Sequence, residues 1–165
     1  MNYEKLFGMQ RELDHHIEQK HALKEEDLFE RKILALLVEL GELANETRCF
    51  KFWSLKPSSE KAVILEEFVD GIHFMLSLGI ELGYDGKIRN AAKRKEKADI
   101  SVTAMFIRLY ESILSFNNEK TEDTYWGMLD EYLELAEALG FTEEEMEKAY
   151  FEKNEVNYER QRKGY

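Results

Sequence analysis

The sequence predicts an all-α fold, a helical bundle of about six helices. Three observations carry the prediction. The chain has one proline and nine glycines in 165 residues, too few breakers for a many-turned β fold. Apolar residues recur at helical spacing over long stretches. Start and stop signals fall at helix-length intervals. One core is the expectation for this length, so residues 1–165 read as a single domain.

The elements follow in order. The first helix is expected over about Tyr3 to Lys20, and the second over about Glu25 to Thr47. A third starts after Pro57, with Ser58 or Ser59 as N-cap, and reaches about Leu82. Gly83 and the Tyr84-Asp85-Gly86 cluster stop it. Three more span about Ser101 to Ser115, Thr121 to Leu139 and Thr142 to Lys163. Thr142 and Glu145 have capping-box spacing, and Gly140 ends the helix before them. Lys87 to Lys97 is the one basic cluster and reads as a solvated surface stretch.

Composition excludes several classes. A net charge of −11 argues against a general basic surface for long nucleic acid. It leaves room for a phosphorylated small molecule, because a bound divalent cation reverses the local field. The single cysteine, Cys49, excludes an intrachain disulfide framework. The N-terminus has no apolar signal core, and no apolar run approaches the roughly 18 residues of a membrane span. The expected setting is the reducing cytoplasm, with no membrane partner.

The chemistry concentrates on two helices. Between Ile33 and Glu46, Ile33, Leu34, Leu36, Leu37, Val38, Leu40 and Leu43 cover nearly the whole circumference, so this helix is expected to be mostly buried. Glu39, Glu42 and Glu46 nevertheless share one narrow sector. The next helix is also largely apolar, yet carries Glu67 and Asp70 at i and i+3, with Glu66 beside them. A short connection containing Pro57 makes the two helices antiparallel neighbours, and their acidic faces meet in the bundle. Clustered carboxylates repel one another and need a positive partner. Either lysines and arginines compensate them, or a hard cation such as Mg²⁺ does, for which carboxylate oxygens are the preferred ligands.

Two other segments carry donors and rings. Lys153, Asn157 and Arg160 share a face of the last helix, a strip suited to phosphate or simply a charged helix end. Between the acidic helices, Phe50, Phe52 and Trp53 offer rings to a base or plug the core, and Lys51 and Lys56 offer cations. His73, one turn after Asp70, fits a base contact or a satisfied core histidine equally.

Together these residues resemble a known family. Glu39-x-x-Glu42 followed 25 positions later by Glu67-x-x-Asp70 is similar to the motif of the all-α NTP pyrophosphatases. Gln10-x-x-Leu13-Asp14, Lys51-Phe52-Trp53, His73-Phe74 and the ending KNEVNYERQRKGY resemble the dimeric dUTPase branch. The resemblance implies Mg²⁺-dependent hydrolysis of dUTP to dUMP and pyrophosphate, with dUDP as a further candidate substrate, by a homodimer. It implies Glu39, Glu42, Glu67 and Asp70 as metal ligands, with Glu42 also orienting or deprotonating the attacking water. Lys153, Asn157 and Arg160 would hold phosphates, helped by Lys51 and Lys56. Gln10, Trp53 and His73 would line the uracil pocket. Asp14 stands where many relatives carry Asn, and a carboxylate cannot donate as an amide does. The competing readings are a housecleaning pyrophosphatase for another nucleotide and a non-catalytic helical interaction protein.

Overall fold

The computed structural model describes residues 1–86 and 100–164; the basic cluster at Lys87 to Lys97 lies outside them. Six helices form: α1 (Tyr3–Lys20), α2 (Phe29–Thr47), α3 (Lys61–Glu81), α4 (Val102–Glu119), α5 (Glu122–Ala138) and α6 (Glu143–Lys163). There is no strand among the described residues. α3 is the central element and packs on α1, α2, α5 and α6, while α4 joins α2 to α5.

Local chemistry explains most boundaries. Ser101 caps α4 by accepting from Ala104 N. Thr121 and Thr142 open α5 and α6 with full capping boxes. α4 runs past the expected stop at Ser115, since no glycine or proline interrupts the next four residues, and ends where Lys120 turns left-handed. α2 starts later than expected, at Phe29, whose N–H bonds the Asp27 carboxylate at 3.0 Å. α3 begins at Lys61 with Glu60 at the N-cap, so neither Ser58 nor Ser59 caps it. Ser59 is engaged elsewhere. Its N–H donates to the Glu46 carbonyl and its hydroxyl to the Glu46 carboxylate.

That contact ties the end of α2 to the approach to α3, and Lys32 near the start of α2 bonds Glu81 at the end of α3. The two helices are therefore antiparallel. Leu36, Leu40 and Leu43 of α2 face Phe68, Ile72 and Met75 of α3 within one continuous core. α2 is not buried all round: Leu34 is 64% and Val38 50% exposed. The core covers only one side of the helix, and its apolar far side meets solvent.

α3 packs closely on α5 through two glycines. Tyr132 stacks on Phe68 with ring centroids 4.4 Å apart, and its hydroxyl donates to the Phe68 carbonyl at 2.9 Å. The ring fills the space a Cβ on Gly71 would need, coming within 2.8 Å of it at Cζ. Tyr125 does the same at Gly79 and bonds the Met75 carbonyl at 3.1 Å.

Candidate active site

The antiparallel pairing of α2 and α3 brings Glu39, Glu67 and Asp70 together, with one carboxylate oxygen from each lying within 4.8 Å of the others. Like charges in a half-buried place resist ionisation. Burial, then the charges of Asp70, Glu42 and Glu67, push the Glu39 carboxyl up to about 7. Glu67 is raised by burial and then by Asp70 and Glu42. Burial also raises Asp70, against the hydrogen bond and charge of Lys153. A set of three hard oxygen donors, each held away from easy ionisation, fits a hard divalent cation. Glu42 lies on the exposed side of α2, outside the three-oxygen cluster but close enough to act on Glu39 and Glu67 electrostatically. Glu46 is drawn away by Ser59.

Lys153 reaches the cluster from α6. Its side chain is 7% exposed, and its ammonium donates to Asp70 at 2.6 Å and to Glu66 at 2.9 Å. Burial lowers its pKa, but the hydrogen bonds and charges of Asp70 and Glu66 outweigh that and raise it. Lys153 thus bridges two carboxylates of α3 instead of lining the cavity beside them.

That cavity, about 280 Å³, opens next to the acids. Glu39 and Asp70 form one wall, Asn157, Arg160 and Gln161 of α6 another, and Gln10, His73 and Phe74 a third. Acids and phosphate-type donors therefore share one cavity with an aromatic and amide wall. Lys51, Lys56 and Trp53 do not line it. Lys51 bonds the Asn45 side chain, Lys56 is exposed, and Trp53 is 64% exposed with its ring edge-on to Phe50 and Phe52.

The wall of Gln10, His73 and Phe74 rests on a polar network. Gln10 Nε2 donates to Asp14 Oδ1 at 2.8 Å, and Ser77 Oγ donates to Asp14 Oδ2 at 2.6 Å. The Tyr150 hydroxyl donates to Gln10 Oε1 at 2.9 Å, and His73 Nδ1 lies 2.7 Å from the same oxygen. The His73 ring stacks on Tyr150 with centroids 4.2 Å apart. Burial, and secondarily the Lys153 charge, push its pKa down to about 3, so it is neutral at physiological pH. Sequence spacing alone does not single out Ser77 or Tyr150, nor Glu66 as the partner of Lys153. For Ser77 a signal existed, a lone hydroxyl four residues after His73 in an apolar helix.

No curated protein matches the sequence. The sequence profile of the dUTPase family matches residues 2–165, which takes in every helix that builds this cavity. The chain belongs to the dUTPase family and is a dUTP diphosphatase, a hydrolase acting on an acid anhydride.

Proposed function

We propose that the chain hydrolyses dUTP to dUMP and pyrophosphate with Mg²⁺, using the cavity between α1, α2, α3 and α6. The observation that carries this reading is the meeting of Glu39, Glu67 and Asp70 with Asn157 and Arg160 at one cavity. Carboxylates alone would repel a triphosphate, and donors alone would not activate water. Bound to the acids, Mg²⁺ would offset phosphate charge and lower the pKa of an attacking water. Glu39, Glu67 and Asp70 supply its carboxylate ligands. Glu42, beside the cluster, orients the water and receives its proton. Arg160 and Asn157 donate to phosphate oxygens, and Gln10 and His73 face the uracil. dUDP would fit the same groups with one phosphate fewer.

The protein works as a cytoplasmic homodimer in this proposal. The bond from the Tyr110 hydroxyl to the Leu37 carbonyl, at 3.1 Å, sets α4 beside α2. Both helices carry exposed apolar residues, Leu34 and Val38 on α2 and Ile107 and Leu114 on α4. An apolar stripe on two neighbouring helices is the kind of surface a second copy covers. Among the described residues no helix is long and apolar enough to cross a membrane.

The test is pyrophosphate release from dUTP, dCTP, dTTP and dATP with Mg²⁺ and with chelator. dUTP should be cleaved in preference to the others, and only with the metal. Cleavage unaffected by chelator would overturn the metal reading, and equal rates for all four would overturn the base reading. Sedimentation at micromolar concentration tests the dimer, and a monomer would refute it.

A further inference from the structure

Glu66 takes no part in the three-oxygen cluster, yet one lysine ties it to the cluster. Around α3, Asp70 falls between the two glutamates of the turn before it, Glu66 on one side and Glu67 on the other. Glu67 joins Glu39 in the cluster. On the Glu66 side, the Lys153 ammonium from α6 donates to Asp70 Oδ2 at 2.6 Å and to Glu66 Oε1 at 2.9 Å. The Lys153 side chain is buried, so its head has little room to move. Its charge nevertheless acts on Glu39 and Glu67. An ammonium this close to metal-type oxygens seeks the same lone pairs as a cation does. Where it is held decides whether it helps or hinders. Bonded to one oxygen of Asp70 from outside, it steadies that carboxylate and leaves the other oxygen for the ion. Drawn inward, it would compete for the site.

We propose that Glu66 is a positioning residue for the metal centre: it anchors the Lys153 ammonium on the outer side of Asp70, so that Asp70 is held and the cluster stays open to a divalent cation. Glu66 itself is 59% exposed, so water weakens its direct pull on an ion beyond Asp70. Its effect passes through Lys153. Without Glu66 the ammonium keeps Asp70 but loses its outer acceptor, and the charges of Glu39 and Glu67 turn it inward. The inference rests on the reading that Glu39, Glu67 and Asp70 bind a divalent cation.

Mn²⁺ binding to the full chain without nucleotide tests it, followed at fixed pH by the electron paramagnetic resonance of the free ion. Circular dichroism checks that each variant is folded. In Glu66→Ala, which removes the anchor, Kd for Mn²⁺ should rise at least about fivefold. In Glu66→Gln, whose amide oxygen still accepts from the ammonium, it should stay within about twofold of the parent. A smaller rise in Glu66→Ala overturns the proposal, as does tighter binding. A larger rise in Glu66→Gln also overturns it, because Glu66 would then act by its charge alone. A second arm repeats Glu66→Ala on Lys153→Met. There it should change Kd by less than about twofold, and a fivefold effect persisting without the lysine overturns the proposal. If Lys153→Met does not fold, the contrast between Ala and Gln at position 66 decides. If the unsubstituted chain binds no Mn²⁺ at millimolar concentration, the reading of the cluster as a metal centre fails and the role of Glu66 falls with it. Mn²⁺ bound equally by the parent and Glu66→Ala removes the role of Glu66 alone.

Discussion

Replacing Gly71 with Ala puts a methyl group where the Tyr132 ring already is. A Cβ there would come within 2.8 Å of Cζ and closer still to the hydroxyl. The ring cannot simply swing aside, because it is fully buried, stacked on Phe68, and bonded through its hydroxyl to the Phe68 carbonyl. Overpacking of a tight core costs about 1–3 kcal/mol. Losing the buried hydroxyl's hydrogen bond adds about 1–3 kcal/mol if the ring is displaced. Alanine returns about 1 kcal/mol through its better helix propensity. The expected net destabilisation is about 1–5 kcal/mol, centred near 3 kcal/mol. Urea unfolding of Gly71→Ala, Tyr132→Phe and the double variant forms the cycle that isolates the collision. Removing the hydroxyl relieves the nearest contact, so the double variant should be more stable than the sum of the singles predicts, by at least about 1 kcal/mol. Additivity within about 0.5 kcal/mol would refute the account, as would a Gly71→Ala protein as stable as the parent.

Four further outcomes follow from the site. Glu42→Gln should abolish dUTP turnover while leaving the helical circular dichroism unchanged, and turnover within a few-fold of the parent would remove Glu42 from the mechanism. Arg160→Ala should weaken binding of a non-hydrolysable dUTP analogue by about 1.5–3 kcal/mol in calorimetry, the scale of a charge-assisted hydrogen bond, and unchanged affinity would return Arg160 to an ordinary helix-end cation. With its pKa raised to about 7, Glu39 is still partly protonated at neutral pH, so Mg²⁺ binding should release protons near pH 7 and weaken as pH falls below it. The same raised pKa makes the metal-free fold lose stability as pH rises from about 4.5 towards 7, because the unfolded chain ionises Glu39 first. A Glu39→Gln variant that gained stability over the metal-free parent near pH 4.5 but not near pH 7 would contradict that sign.

Much of the fold is legible in the sequence because its cues are local. The Thr142–Glu145 box and the αL turn at Gly140 are short-range chemistry, and the structure has both. The convergence of Glu39, Glu67 and Asp70 is legible for a related reason: helical spacing fixes which residues share a sector, and a short connection fixes which helices meet. What depends on distant partners is not legible. Ser59 has the right chemistry for an N-cap but bonds Glu46. Lys153 shares a face with Asn157 and Arg160, yet only the seating of α6 on α3 sends it to Glu66 and Asp70. Leu34 and Val38 have the composition of a buried helix, and whether a neighbour covers them is a tertiary fact. Trp53 sits on a connection with no period to read, and the structure leaves it in solvent.

The cavity draws its walls from helices far apart in sequence: Gln10 from α1, Glu39 from α2, His73 from α3 and Arg160 from α6. During synthesis Arg160 is made after the other three. Until α6 emerges from the ribosome and docks, Asp70 and Glu66 lack the ammonium of Lys153, and Gln10 lacks the hydroxyl of Tyr150. The nascent chain therefore carries its acids before their counter-charge is made. Closing contacts across some 140 residues is entropically slow, so the docking of α6 should be a late folding step. A nonsense mutation removing the last two turns of α6 would leave five helices whole and α6 shortened, and would take Asn157, Arg160 and Gln161 out of the cavity wall.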